Sequence, residues 1–227
     1  MKKRIKIDSV IVFLCVIATG IFCVNKRIYF IIPPVDNALD FLGVLCLLKG
    51  VLLRMMGRGY KKKLSKKSAD LVTSGLYQVT RNPMYLGSFY IGAGFVFMVW
   101  PWWSFPLFVY LFYIRFKIQV EKEESYLSKR FGQAYKEYCE TTPRIFPDIQ
   151  GLKKVNLQEV VDWKVAFSTK EKRGLFFLPL FAVLLETAQE QSVFGTIDIG
   201  ATLDVWLSGL IFFIIWFLFI YFYYNTK

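Results

Sequence analysis

Two short stretches of this chain bring together residue types that can hold a charged ligand. The first is Thr80-Arg81-Asn82-Pro83-Met84-Tyr85-Leu86-Gly87, preceded by Leu71-Val72-Thr73-Ser74-Gly75-Leu76-Tyr77. Asn followed by Pro reads as a helix start, with Asn82 as N-cap and Pro83 at the first helical position. Such a start leaves about four backbone N–H groups unpaired and aimed at whatever anion lies beyond them, so a ligand carboxylate fits there. The same residues serve equally as a plain helix start, with Arg81 and Tyr85 anchoring it at a polar boundary. The second stretch is Glu121-Lys122-Glu123-Glu124-Ser125-Tyr126-Leu127, followed by Phe131-Gly132, Tyr135, Tyr138 and Pro143-Arg144. Glu123 and Glu124 could stabilise a cation or take up a proton. In isolation, adjacent glutamates on a helix are more often a solvated face, and Tyr135 and Tyr138 at helical spacing more often packing.

Other chemistries are closed off. The chain has no histidine, which removes a histidine base, a histidine metal ligand and a Ser-His-Asp triad. Its four cysteines, at positions 15, 23, 46 and 139, have no C-x-x-C spacing, and three lie in apolar runs. A disulfide framework or metal site is not expected.

The elements that must position the two stretches are helices, and the sequence predicts an all-α, polytopic membrane protein. Of the 227 residues 55% are hydrophobic and 19% aromatic, and mean hydropathy is +0.40, too apolar for an ordinary soluble domain. A spanning helix needs roughly 20 mostly apolar residues. Residues 9–25 and 205–225 meet that test, and residues 35–53 do so while carrying Asp36, Asp40 and Lys49. Residues 82–114 contain no charge and are interrupted by Trp100-Pro101-Trp102-Trp103, which predicts two helices joined by an aromatic turn. Residues 174–185 extend past Glu186 to complete another, for about six spans in all. The basic N-terminus could be mistaken for a secretory signal, but no small-residue cleavage pattern follows and a retained first span is expected.

Net charge is +12, and the Lys and Arg residues fall between apolar runs. They read as topology signals and contacts to anionic lipid rather than as a nucleic-acid surface. Lys2, Lys3, Arg4 and Lys6, and the loop Arg54, Arg58, Lys61, Lys62, Lys63, Lys66 and Lys67, should face the cytoplasm, as should both termini and the charged stretch from Arg115 to Arg173. The compact size suggests a bacterial plasma membrane. The expected organisation is an N-terminal two-span hairpin and basic loop (1–70), a core carrying both stretches as a helical hairpin plus a cytoplasmic helix (71–150), a cytoplasmic linker (151–173) and a C-terminal two-span hairpin (174–227).

The order of the motifs resembles the isoprenylcysteine carboxyl methyltransferase and phospholipid methyltransferase superfamily. Gly75-Leu76-Tyr77, Arg81 to Gly87, Glu123-Glu124, Phe131-Gly132-Gln133-Ala134-Tyr135 and Pro143-Arg144 follow that family's signature, except that Asn82 stands where the family has histidine. Several short motifs in order are more specific than any one of them. The resemblance implies S-adenosyl-L-methionine as cofactor. Leu71, Val72 and Tyr77 would line one side of its pocket; Asn82, Pro83, Met84, Tyr85 and Gly87 would contact it; Glu123, Glu124 and Arg81 would serve the chemistry. A lipid-like acceptor would meet Gln119, Glu123 and Arg144. Gln119 stands where the carboxyl-methylating enzymes place an arginine, which puts a prenylcysteine carboxylate in question as the acceptor. A membrane reductase using NADPH and a small transporter or lipid-binding scaffold are the rival readings. The Glu pair followed by Phe-Gly-x-x-Tyr favours the methyltransferase, and no internal repeat supports a transporter.

Overall fold

The longest helix begins where two prolines can start one. In the computed structural model, which describes residues 14–15, 17–22, 33–64, 70–147, 163–195, 200, 203–204, 207–215 and 218, α1 runs from Pro33 to Leu64. Asp36 lies in its first turn and Lys61, Lys62 and Lys63 in its last, each matching the sign of the helix dipole at its end. The basic stretch from Arg54 to Lys63, expected as a loop, is therefore helix. Arg, Met, Lys and Leu are good helix formers, and no proline interrupts them. Thirty-two residues make this helix about 48 Å long at about 1.5 Å per residue.

The uncharged stretch divides as its aromatic turn predicts. Helix α2 spans Pro83–Val99 with proline in its first turn, a 3-10 turn covers Trp102–Ser104, and α3 spans Phe105–Phe131. Pro101 ends the first arm, because proline has no N–H to continue a helix. One finding differs from expectation: the helix carrying Glu123 is not a separate cytoplasmic element but the continuation of α3. Gly132, at φ 54°, takes a conformation that costs glycine little and turns the chain into α4, Gln133–Thr141. Within the expected linker, α5 (Trp163–Phe167) and a 3-10 turn (Lys170–Arg173) pack against α1. Helix α6, Gly174–Phe194, runs through Glu186 as expected. Residues 17–22 and 207–215 are helical; most of the first and last expected spans, and both termini, lie outside the described residues.

The main interface is α1 against α2, and glycines at seven-residue spacing make it close. A Cβ on Gly50 would stand 2.6 Å from the Gly87 carbonyl oxygen, and one on Gly94 would stand 2.7 Å from that of Gly43. Small residues let helix backbones approach in this way where apolar burial alone does not drive association. Around this seam Val44, Leu47 and Leu48 pack on Met98, Val99 and Ala182, while Val51, Met55 and Met56 pack on Leu76, Val79 and Ala166. The outward faces stay apolar: Leu107, Leu111 and Ile118 on α3 and Phe177, Leu180 and Leu184 on α6 are exposed. Among the described residues, no helix is long and apolar enough to cross a membrane and no strand is present.

Candidate active site

The two chemistry-bearing stretches are far apart in sequence and are stitched together by backbone acceptors. The Tyr138 hydroxyl donates to the Tyr77 carbonyl at 2.6 Å, and the Thr80 hydroxyl to that of Ile145 at 2.7 Å. The Arg81 amide donates to Pro143 O at 2.9 Å, and Asn82 Nδ2 to Arg144 O at 2.9 Å. Asn82 occupies the N-cap position of α2, but its side chain makes no capping bond. It is spent on the second stretch instead, so the motif's asparagine acts here as a strut.

Charge completes the junction. Arg144 Nη2 lies 2.7 Å from Glu124 Oε2, and Arg81 Nη1 lies 3.4 Å from Glu124 Oε1. The Glu124 and Arg81 side chains are only 19% and 15% exposed, so this triad is screened less than an exposed pair, for which about 0–1 kcal/mol is usual. Glu123 is fixed separately: Tyr85 Oη donates to its Oε1 at 2.6 Å and Gln119 Nε2 to the same oxygen at 3.0 Å. Tyr85 is itself held edge-on by the Phe116 ring at 5.0 Å.

These groups border a cavity of about 210 Å³. Leu71, Val72, Leu127 and Phe131 give it apolar walls, and Tyr77, Arg81, Asn82, Glu123 and Glu124 give it polar ones. Two buried polar atoms of residues that line it, Arg81 Nε and Glu124 Oε1, make no hydrogen bond, although Glu124 Oε1 is ion-paired to Arg81 Nη1. One is a donor and the other an acceptor, as a ligand bearing both a carboxylate and an ammonium would require. The amino-acid end of S-adenosyl-L-methionine carries both, so the donor set fits that cofactor.

The expected site residues divide accordingly. Leu71, Val72, Tyr77, Arg81, Asn82, Glu123 and Glu124 meet at the cavity. Tyr85, Gln119 and Arg144 stand behind it and hold the two glutamates. Pro83, Met84 and Gly87 turn the other way, onto α1, where Pro83 and Met84 meet Gly57 and Gly87 meets Gly50 and Arg54. The expectation did not include the wall formed by Tyr126, Leu127, Arg130 and Phe131. Helical spacing from Glu123 and Glu124 was the signal for it: residues three, four and seven positions on share their face.

Tyr77, Tyr135 and Tyr138 hold their protons more tightly than free tyrosine. Burial is the largest cause in each case; the carboxylate of Glu123 adds to it for Tyr77 and that of Glu124 for Tyr135, while Tyr138 also feels the neighbouring Tyr77. They therefore remain donors at neutral pH. Unfolded chains release such protons near pH 10. Below that pH the stabilisation is fully present, and above about 10 the folded state binds more protons than the unfolded one, so stability falls as pH rises. Denaturation midpoints should be flat on this account up to pH about 9 and decline above 10, with tyrosinate absorbance of these rings appearing only as the protein unfolds. Full tyrosinate signal from still-folded protein would contradict it.

The phospholipid methyltransferase family model matches residues 41–134. Among curated proteins, the chain is 31% identical over 112 residues to the protein-S-isoprenylcysteine O-methyltransferase of Schizosaccharomyces pombe, covering 47% of this chain and 48% of that one. It is 29% identical over 124 residues to the Dictyostelium discoideum enzyme of the same name, covering 44% and 46%, and 33% identical over 114 residues to the Homo sapiens enzyme, covering 48% and 39%. The match thus spans under half of the length of each of these relatives. No solved structure matches the chain. Residues 41–134, which contribute Tyr77, Arg81, Asn82, Glu123 and Glu124 to the cavity, are similar to the phospholipid methyltransferase family, and the chain is similar over under half its length to the isoprenylcysteine O-methyltransferases.

Proposed function

We propose that the chain is an integral membrane methyltransferase that uses S-adenosyl-L-methionine and acts on a lipid-like acceptor of the prenylated kind. The observation that carries this reading is the meeting of Arg81, Glu124 and Glu123 at one cavity, with Glu123 held by two donors. Arg81 would hold the carboxylate of the cofactor's amino-acid end, Glu124 its ammonium, and the apolar walls its flat ring. When bound, the cofactor supplies a methyl group on a sulfonium, whose leaving group is already activated.

The protein's part is then mainly position and exclusion of water, for which well-oriented groups can supply about 7–11 kcal/mol. Glu123 faces the cavity with its orientation set by Tyr85 and Gln119. For an amine acceptor it would stabilise the developing charge or accept the proton, and a carboxylate acceptor needs no base. The lack of histidine is compatible with either course. Polytopic insertion, with about six helices and the site at the cytoplasmic face, is supported by the exposed apolar sides of α3 and α6.

The test is transfer of labelled methyl from S-adenosyl-L-methionine into a total lipid extract and, separately, into an N-acetylated farnesylcysteine. Label should enter a lipid fraction or the prenylcysteine with wild-type protein and not with Glu123→Ala. A folded sample that binds the cofactor yet labels neither would overturn the lipid-like acceptor.

A further inference from the structure

A second cleft, of about 400 Å³, opens on the opposite face of α2 from the cavity, between α1, α2 and the start of α6. Its upper wall is formed by Arg54, Lys170, Glu171 and Arg173 and its lower part by Ile91 and Phe177. Glu171 is already consumed. It accepts from Arg54 Nε at 3.1 Å and Nη2 at 3.3 Å, and its Oε1 is ion-paired to Arg58 Nε at 2.9 Å. Ser88 is occupied too, accepting from Arg54 and donating to Met84 O. Lys170 and Arg173 are exposed and have no carboxylate partner among the described residues. The rim therefore carries an excess of positive charge above an apolar floor on which Phe177 is 66% exposed.

We propose that this cleft seats one anionic phospholipid, its phosphate on Lys170 and Arg173 and an acyl chain along Ile91 and Phe177. The chemistry on the page fits that occupant in both halves: basic groups at the membrane surface attract anionic headgroups, and an apolar face directly below them suits a chain rather than a soluble phosphate. Glu171 holds Arg54 as the back wall and pairs with Arg58 outside the cleft, so Lys170 and Arg173 are the cations of the cleft left to bind. The site is separate from the catalytic one, because Tyr85 on α2 faces α3 whereas Ser88 and Ile91 face the cleft. The proposal rests on the membrane reading above but not on the methyltransferase chemistry.

Native mass spectrometry of the whole protein in mild detergent tests it, with phosphatidylglycerol as probe and phosphatidylcholine of the same chains and glycerol 3-phosphate as comparisons. Wild-type protein should bind one phosphatidylglycerol at least tenfold more tightly than phosphatidylcholine, and Lys170→Gln/Arg173→Gln should lose that preference. Both substituted side chains are exposed, so folding is not at stake, and cofactor binding measured on the same samples should be unchanged. Equal binding of the two lipids by wild type, or a preference kept by the double variant, overturns the proposal. Glycerol 3-phosphate competing as well as the lipid would also overturn it, by making the site one for soluble phosphates. Loss of cofactor binding in wild type with the lipid preference intact would instead sink only the methyltransferase reading.

Discussion

Glu123→Ala should lower kcat/KM for methyl transfer by on the order of 100-fold, with Tyr85→Phe and Gln119→Ala each costing roughly tenfold. The graded expectation follows from geometry: both donors reach the same oxygen, Tyr85 at 2.6 Å and Gln119 at 3.0 Å, so removing one leaves the other to orient the carboxylate. A hydrogen bond to a charged group is worth about 1.5–3 kcal/mol, and the lower end of that range, roughly tenfold, applies while the other donor remains. Tyr85→Phe combined with Gln119→Ala should reach about the loss of Glu123→Ala, since together they remove both donors that orient the carboxylate. Steady-state kinetics on the four variants check this. Tyr85→Phe at wild-type activity would show that Glu123 needs no positioning.

Valine at Gly50 or Gly87 should destabilise the protein by about 3 kcal/mol, read as a fall in its denaturation temperature in detergent. At both positions backbone stands in the way beside a side chain: the Gly87 carbonyl oxygen is 2.6 Å from a Cβ on Gly50, and the Gly50 carbonyl oxygen 2.7 Å from a Cβ on Gly87. A side chain could swing aside, but two helix backbones can only separate, and overpacking usually costs about 1–3 kcal/mol. Valine at Gly132, where nothing lies within 4 Å, tests a different cost. There only the positive φ resists, so the loss should be smaller. If Gly87→Val melted like the wild type, α1 and α2 would not be packed at this seam.

Local rules made much of this visible in the sequence. Pro83 and the Trp100-Pro101 break mark the ends of α2, and Arg81, Asn82, Glu123 and Glu124, singled out by their order, come together at one cavity with Arg144 behind them. What stayed hidden depends on three-dimensional partners. Asn82 reads as a cap because its type suits one, yet the nearby Arg144 carbonyl competes for its side chain and wins. Pro83, Met84 and Gly87 lie in the motif but face α1, because a helix can turn only one side to the cavity. The stretch from Arg54 to Lys63 reads as a polar loop on charge alone. Its helical propensity and its packing against α5, where Gly59 meets Val165, decide otherwise. Gly43, Gly50 and Gly57, and likewise Gly87 and Gly94, stand seven residues apart, a spacing that keeps small residues on one helix face but names no partner helix by itself.

Calorimetry on the purified protein asks whether the cavity beside Glu124 and Arg81 takes S-adenosyl-L-methionine. S-adenosyl-L-methionine and S-adenosylhomocysteine should both bind, Arg81→Gln and Glu124→Gln should each weaken binding at least tenfold, and NADPH should not compete. A folded sample that binds neither adenosyl compound, or that binds NADPH in their place, would contradict the account.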